Sequence, residues 1–134
     1  MTVQLPGDVL ALLREPSYAQ LATVMPDGSP QVTQVWIETD GEYIIVNTAV
    51  GHQKERNVRR DPRVAINLVD PNDQSRQAAI RGRVVEMTTE GAAEQINALA
   101  KKYLGVDGYP FGSPDETRIT LKIAPDHVSE LQGG

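Results

Sequence analysis

A chain of 134 residues with 13 Lys and Arg against 18 Asp and Glu has the size of one ordinary domain, and its net charge of −5 lacks the broad positive footprint of a general nucleic-acid binder. It holds no cysteine, which excludes disulfides, thiolate metal sites and thiol catalysis. No stretch approaches the roughly 18 apolar residues of a membrane span, and MTVQLPGDVL has no basic segment leading into a long apolar run, so a cytoplasmic setting without a membrane partner is expected.

In chain order, Asp8 is expected to cap a short helix carrying Val9, Leu10, Leu12 and Leu13 that ends before Pro16, forming an N-terminal lid. YAQLATVM (18–25) and PQVTQVWIETD (30–40) flank MPDGSP, whose Pro-Asp-Gly order predicts a β-hairpin with glycine at positive φ. The β-branched run EYIIVNTA (42–49) predicts a third antiparallel strand, completing a meander. A basic helix follows. RVAINLVD (63–70), the polar turn PNDQS and QAAIRGRVVEMT (77–88) predict two further strands, with Gly82 at a bulge or a barrel bend. The apolar spacing of Ala93, Ile96, Leu99, Ala100, Tyr103 and Leu104 predicts a helix opened by Thr88 or Thr89 and stopped by Gly105. After the Gly/Pro-rich loop GVDGYPFGSPDE comes a last strand over 118–131, interrupted near Pro125. Five or six antiparallel strands with peripheral helices predict one mainly β domain over 1–134, a small closed or partly closed barrel that removes exposed edges.

The cations gather in GHQKERNVRRDPRV (51–64), where Lys54, Arg56, Arg59, Arg60 and Arg63 oppose the overall charge. The two imidazoles, His52 and His127, stand in no metal-binding or triad spacing, and neither GxGxxG nor GxxxxGK[ST] occurs. The cradle on offer is strand, short turn and helix: VNTAVGHQKERN sets backbone N–H groups and a positive helix end beside Thr48, Gln53 and Lys54, a setting suited to phosphate. Lys54, Asn57 and Val58 share one helix face while Arg56, Arg59 and Arg60 face elsewhere. Charge alone leaves a plain solvated basic helix as an equal reading.

The segment from Leu21 to Asp70, with its Asp27-Gly28 hairpin and the pattern K-x-x-N-[LV]-x-x-D-P-[RK] from Lys54 to Arg63, resembles the split β-barrel flavin and deazaflavin oxidoreductases related to pyridoxamine 5′-phosphate oxidase. With the later helix and final strand, the resemblance spans nearly the whole chain and favours the branch using the deazaflavin coenzyme F420, FMN being the alternative cofactor. It implies a homodimer with two equivalent cofactor sites between the subunits. By resemblance, Lys54 takes the cofactor phosphate and Gln53 and Asn57 belong to the same helix start. Thr33, Gln34, Val35 and Trp36 lie along the tricyclic ring, and Asn47, Thr48 and Ala49 meet its pyrimidine edge. Gln74, Ser75, Arg76 and Gln77 match a segment reaching the partner's cofactor. The implied activity is hydride transfer from reduced F420 to an electrophilic, conjugated small organic acceptor, with no dedicated catalytic residue and no metal. An FMN-dependent oxidase or reductase, or a non-catalytic flavin or tetrapyrrole carrier, remain as other readings. So do plain strand roles for Thr33 and Val35, an interface role for Trp36, and a γ-glutamate tail site or simple solvation for Arg56 and Arg60. Tyr109 and Phe111 read equally as a substrate lid or as an anchor for their loop.

Overall fold

The computed structural model describes residues 2–131. They form α1 (Gly7–Arg14), β1 (Tyr18–Val24), β2 (Pro30–Val35), β3 (Ile37–Thr39), β4 (Ile44–Ala49), α2 (Gln53–Arg60), β5 (Arg63–Asp70), β6 (Asp73–Thr88), α3 (Ala92–Leu104) and β7 (Arg118–Val128). All seven strands belong to one antiparallel sheet, ordered β2-β1-β5-β6-β7-β4-β3. The two edge strands are neighbours in the chain, with only Trp36 between them. A sheet whose edges are joined by one residue must curl on itself, and the result is a half-closed, split β-barrel. None of the helices among the described residues is long and apolar enough to cross a membrane.

The expected meander is therefore corrected: residues 30–40 are two strands on opposite edges of the sheet, and β2 never pairs with β4. The break survives because α3 supplies what a strand neighbour would. The Tyr103 hydroxyl accepts the Ile37 N–H at 3.2 Å and donates to the Ser17 carbonyl at 2.7 Å. Lys102 Nζ donates to the carbonyls of Ile37 and Leu13, each at 2.6 Å. Burial pushes the Tyr103 phenol up to about 12, so the hydroxyl keeps the proton it donates.

Alternation along the strands turns Ala19 and Leu21, Ile44 and Val46, Val64, Ile66 and Leu68, and Leu121 and Ile123 into one core, which α1 closes with Val9, Leu12 and Leu13. Each fully buried aliphatic side chain contributes about 1.5–3 kcal/mol. The hairpin is as expected: Met25 N–H bonds the Ser29 carbonyl at 2.8 Å and Gly28 has φ +90°. Gly82 sits at a register shift between β6 and β7, where a Cβ would lie 2.2 Å from the Ala124 carbonyl oxygen.

Four boundaries differ from expectation, each for a local reason. β7 runs through Pro125 because β4 stops pairing at Ile123, so no β4 partner needs the missing N–H. The turn before β6 shrinks to Pro71-Asn72, with Asp73 already paired to Asp70. Asp8 lies inside α1, bonded to its neighbour's N–H, and Pro6 holds the cap position. α3 begins after Gly91 in the left-handed region, while Thr88 Oγ1 accepts the Glu90 N–H; Gly105 ends it as expected.

Candidate functional site

The turn between β4 and α2 is clamped by its own side chains. Gly51, at φ +94°, gives its N–H to Glu55 at 2.8 Å, and Glu55 pairs with Arg59 at 2.6 Å. Burial alone would raise the Glu55 carboxyl, but the Gly51 N–H and Arg59 overcome it and hold the group below its ordinary value. Arg56 bonds the Gly51 carbonyl, and Arg60 bonds the Val24 carbonyl. Asn57 is fully buried: its amide donates to Thr23 Oγ1 at 2.9 Å and accepts from Gln53 Nε2 at 2.8 Å. Gln53 and Asn57 thus tie α2 to β1. Among the described residues Lys54 alone of the α2 cations has neither a hydrogen bond nor an ion pair. Its ammonium is half-buried and held below its ordinary value, first by burial and then by the nearby Arg118. A partly desolvated cation near a second cation is electrostatically suited to an anion.

Lys54 opens into a cleft of about 220 Å³ at the split of the barrel. It is lined by Gln34, Val35 and Trp36 around the end of β2, by Asn47 and Thr48 on β4, by Tyr109 and Phe111 from the loop before β7, by Arg118 on β7, and by His52 and Ile96. The structure therefore brings together six of the eleven residues that the resemblance assigns to the cofactor, and with them Tyr109 and Phe111. The others stand apart from the lining: Thr33 is opposite Leu21 on β1, Ala49 is buried opposite Arg118, and Gln53 and Asn57 are spent on anchoring. Gln77 is exposed on β6, opposite Val69, outside this chain's cleft.

Four aromatic rings pack in series beginning at Tyr103 on α3, and the last three line the cleft. Tyr103 stacks on Trp36 at 5.3 Å, Trp36 meets Tyr109 edge-on at 5.8 Å, and Tyr109 meets Phe111 edge-on at 5.8 Å. Tyr109 anchors its loop through its N–H to Asn97 Oδ1, whereas Phe111 remains 69% exposed at the mouth. Sequence reading missed Arg118 and Glu116. Arg118 lies opposite Ala49, on the face that also carries Asn47, and it donates to Asn47 Oδ1 at 2.9 Å and Glu116 Oε2 at 2.8 Å. No local motif announces such a residue, since the pairing of β4 with β7 brings it to the cleft.

A split barrel with a partly desolvated lysine at a helix N-terminus and aromatic rings in its cleft has the form of a fold that binds small molecules. The chain belongs to the pyridoxamine 5′-phosphate oxidase family, whose model matches residues 5–132. An F420 reductase is similar at 31% identity, over 93% of this chain and 98% of its own, with a TM-score of 0.80. A conserved hypothetical protein of Mycobacterium tuberculosis (23% identity, 98% and 86% of the two chains, TM-score 0.71) shares the fold. So does the HupZ protein of Group A Streptococcus (20%, 97% and 99%, TM-score 0.66). The family is a flavin-binding one, and the chain has the fold of an oxidoreductase-type enzyme.

Proposed function

We propose that the protein is a homodimeric F420H2-dependent reductase acting on an electrophilic, conjugated small organic molecule. The observation that carries this reading is Lys54, a half-buried ammonium without an anionic partner among the described residues, at the start of α2 and open to the cleft. The likeness to an F420 reductase supports the choice of deazaflavin. When bound, reduced F420 supplies a hydride.

The residues present fit such a group. Lys54 would hold its phosphate, with the first N–H groups of α2 beside it. Gln34, Val35, Trp36 and Thr48 would lie along the ring, with Thr33 and Ala49 in support. Gln53 and Asn57 fix the helix that presents Lys54, and the saturated Asn47 amide ties β4 to α3: its Nδ2 donates to the Ala92 carbonyl at 2.9 Å and to Gln95 Oε1 at 2.8 Å. One chain's cleft of about 220 Å³ falls below the ~300–1,000 Å³ of ordinary ligand sites. A second copy would complete the enclosure, with Gln77 reaching across from its exposed position. That closure would also restrict water, and the proton for the product would come from a remaining water or from the cofactor itself.

A second reading keeps the fold and exchanges the cofactor for FMN, favoured by the family's oxidase description. Parallel fluorescence titrations of the cofactor-free protein with F420 and with FMN, at one salt concentration, separate the two. Tight F420 binding with weak FMN binding is expected; the reverse order moves the protein to the FMN readings and removes the deazaflavin assignment.

A further inference from the structure

Arg118 is held more firmly than a surface arginine. Its side chain is 12% exposed, Nε donates to Asn47 Oδ1, Nη1 donates to Glu116 Oε2, and its Cζ lies 4.9 Å from the Tyr109 ring centroid. Nη2 has no hydrogen-bond partner among the described residues. Yet none of their buried side-chain nitrogens or oxygens lacks a partner, so this nitrogen is not sealed in the protein. Nη2 thus keeps contact with solvent, and Arg118 is one of the residues lining the cleft.

We infer that Arg118 grips the oxygen of a neutral, planar carbonyl compound seated against Trp36, Tyr109 and Phe111, and so selects the enzyme's acceptor. The neutral charge follows from the partners. Glu116 is paired with the guanidinium, so a carboxylate at Nη2 would sit close to a second anion, whereas a neutral carbonyl oxygen accepts the hydrogen bond without that repulsion. The unbalanced cation of the cleft is Lys54, which is left to the phosphate. The planar body follows from the walls: three aromatic rings and the buried Ile96 offer apolar faces and edges, with Phe111 exposed where a ligand would cover it. Asn47 acts as a positioning residue, since both hydrogens of its amide go to α3 and its oxygen holds Arg118.

This assignment deepens the reductase reading by dividing the two cations between cofactor and acceptor, and it is tested without turnover. Trp36 is the single tryptophan, so its indole N–H gives one unmistakable resonance at the cleft. Cofactor-free protein is titrated with trans-4-phenylbut-3-en-2-one, with (E)-1-phenyl-1-butene, which keeps the outline but lacks the carbonyl, and with trans-cinnamate. The ketone is expected to shift the indole resonance and to bind about tenfold more tightly than either other ligand. In Arg118→Met its advantage over the hydrocarbon disappears, whereas in Lys54→Ala that advantage persists and cofactor affinity falls about thirtyfold. If Arg118→Met does not fold, Arg118→Lys keeps a cation against Glu116 without the guanidinium fork, and the same comparison applies. Equal binding of ketone and hydrocarbon, no indole shift, tighter binding of cinnamate, or a loss of cofactor affinity in the Arg118 variant matching that of Lys54→Ala each overturns the inference. A ketone preference that persists while both cofactor titrations fail removes the reductase reading and leaves the Arg118 subsite standing.

Discussion

Lys54 carries a cost that its own chain does not offset. Its folded pKa lies below the ordinary 10.5, through burial and then through Arg118. Between that lowered value and 10.5 the unfolded chain binds more protons than the folded one, so the free protein gains stability as pH rises through this window, and the penalty of the charge is fully present at neutral pH. Lys54→Met is therefore expected to melt a few degrees above wild type in the absence of any ligand. On the proposed role, the same replacement would remove a charge-assisted phosphate contact worth about 2 kcal/mol and weaken cofactor binding about thirtyfold. Thermal melts and cofactor titrations on one preparation check both signs. A variant that binds the cofactor as wild type does would sink the phosphate role, whatever its melting temperature. Cofactor affinity in the wild type should also begin to fall at a lower pH than for an ordinary exposed lysine, because the ammonium loses its proton earlier.

Between elements, two residues act as joints. Asn57 connects α2 to β1 through Thr23, and its truncation leaves a buried hydroxyl and the Gln53 amide short of a partner. Asn57→Ala is expected to cost about 2–3 kcal/mol, seen as a lower urea midpoint at unchanged slope. Gly82→Ala drives a Cβ to within 2.2 Å of a backbone oxygen on β7, which only a shift of the β6–β7 ladder relieves. A loss of about 1–3 kcal/mol is expected by the same denaturation; a neutral result would mean that the ladder at this bulge is slack. Gly82 was legible beforehand because a glycine inside an apolar strand pattern has few other uses, as were α3, from its apolar spacing and Gly105, and the Asp27-Gly28 hairpin. The break at Trp36 was not legible, since its backbone is satisfied by Tyr103 and Lys102, more than sixty residues away. The cleft divides in the same way. The segment carrying Lys54 has a local pattern, strand to turn to helix, whereas Arg118 reaches the cleft only through the pairing of β4 with β7.

At the scale of the whole molecule, curling leaves the outer face of the sheet without a covering layer. Across that face the register aligns Val32 on β2, Ala22 on β1, Ala65 on β5 and Arg81 on β6, a row of small or apolar side chains before the arginine. Val32 is 60% exposed and Tyr18, on the same side of β1, 46%. Exposed apolar surface next to a cleft too small for a whole cofactor is what a second copy would cover, deepening the site at the same time. Sedimentation at micromolar concentration is expected to give about twice the 14.6 kDa chain mass. Val32→Glu would set a charge on the proposed contact face and should shift that mass toward one chain. If the pairing encloses the cofactor as proposed, its affinity should fall at least tenfold in the same variant, although no residue of the cleft has been altered. If the variant sediments as a single chain yet binds the cofactor with wild-type affinity, each cleft is sufficient alone, and the role given to Gln77 across the interface goes with it.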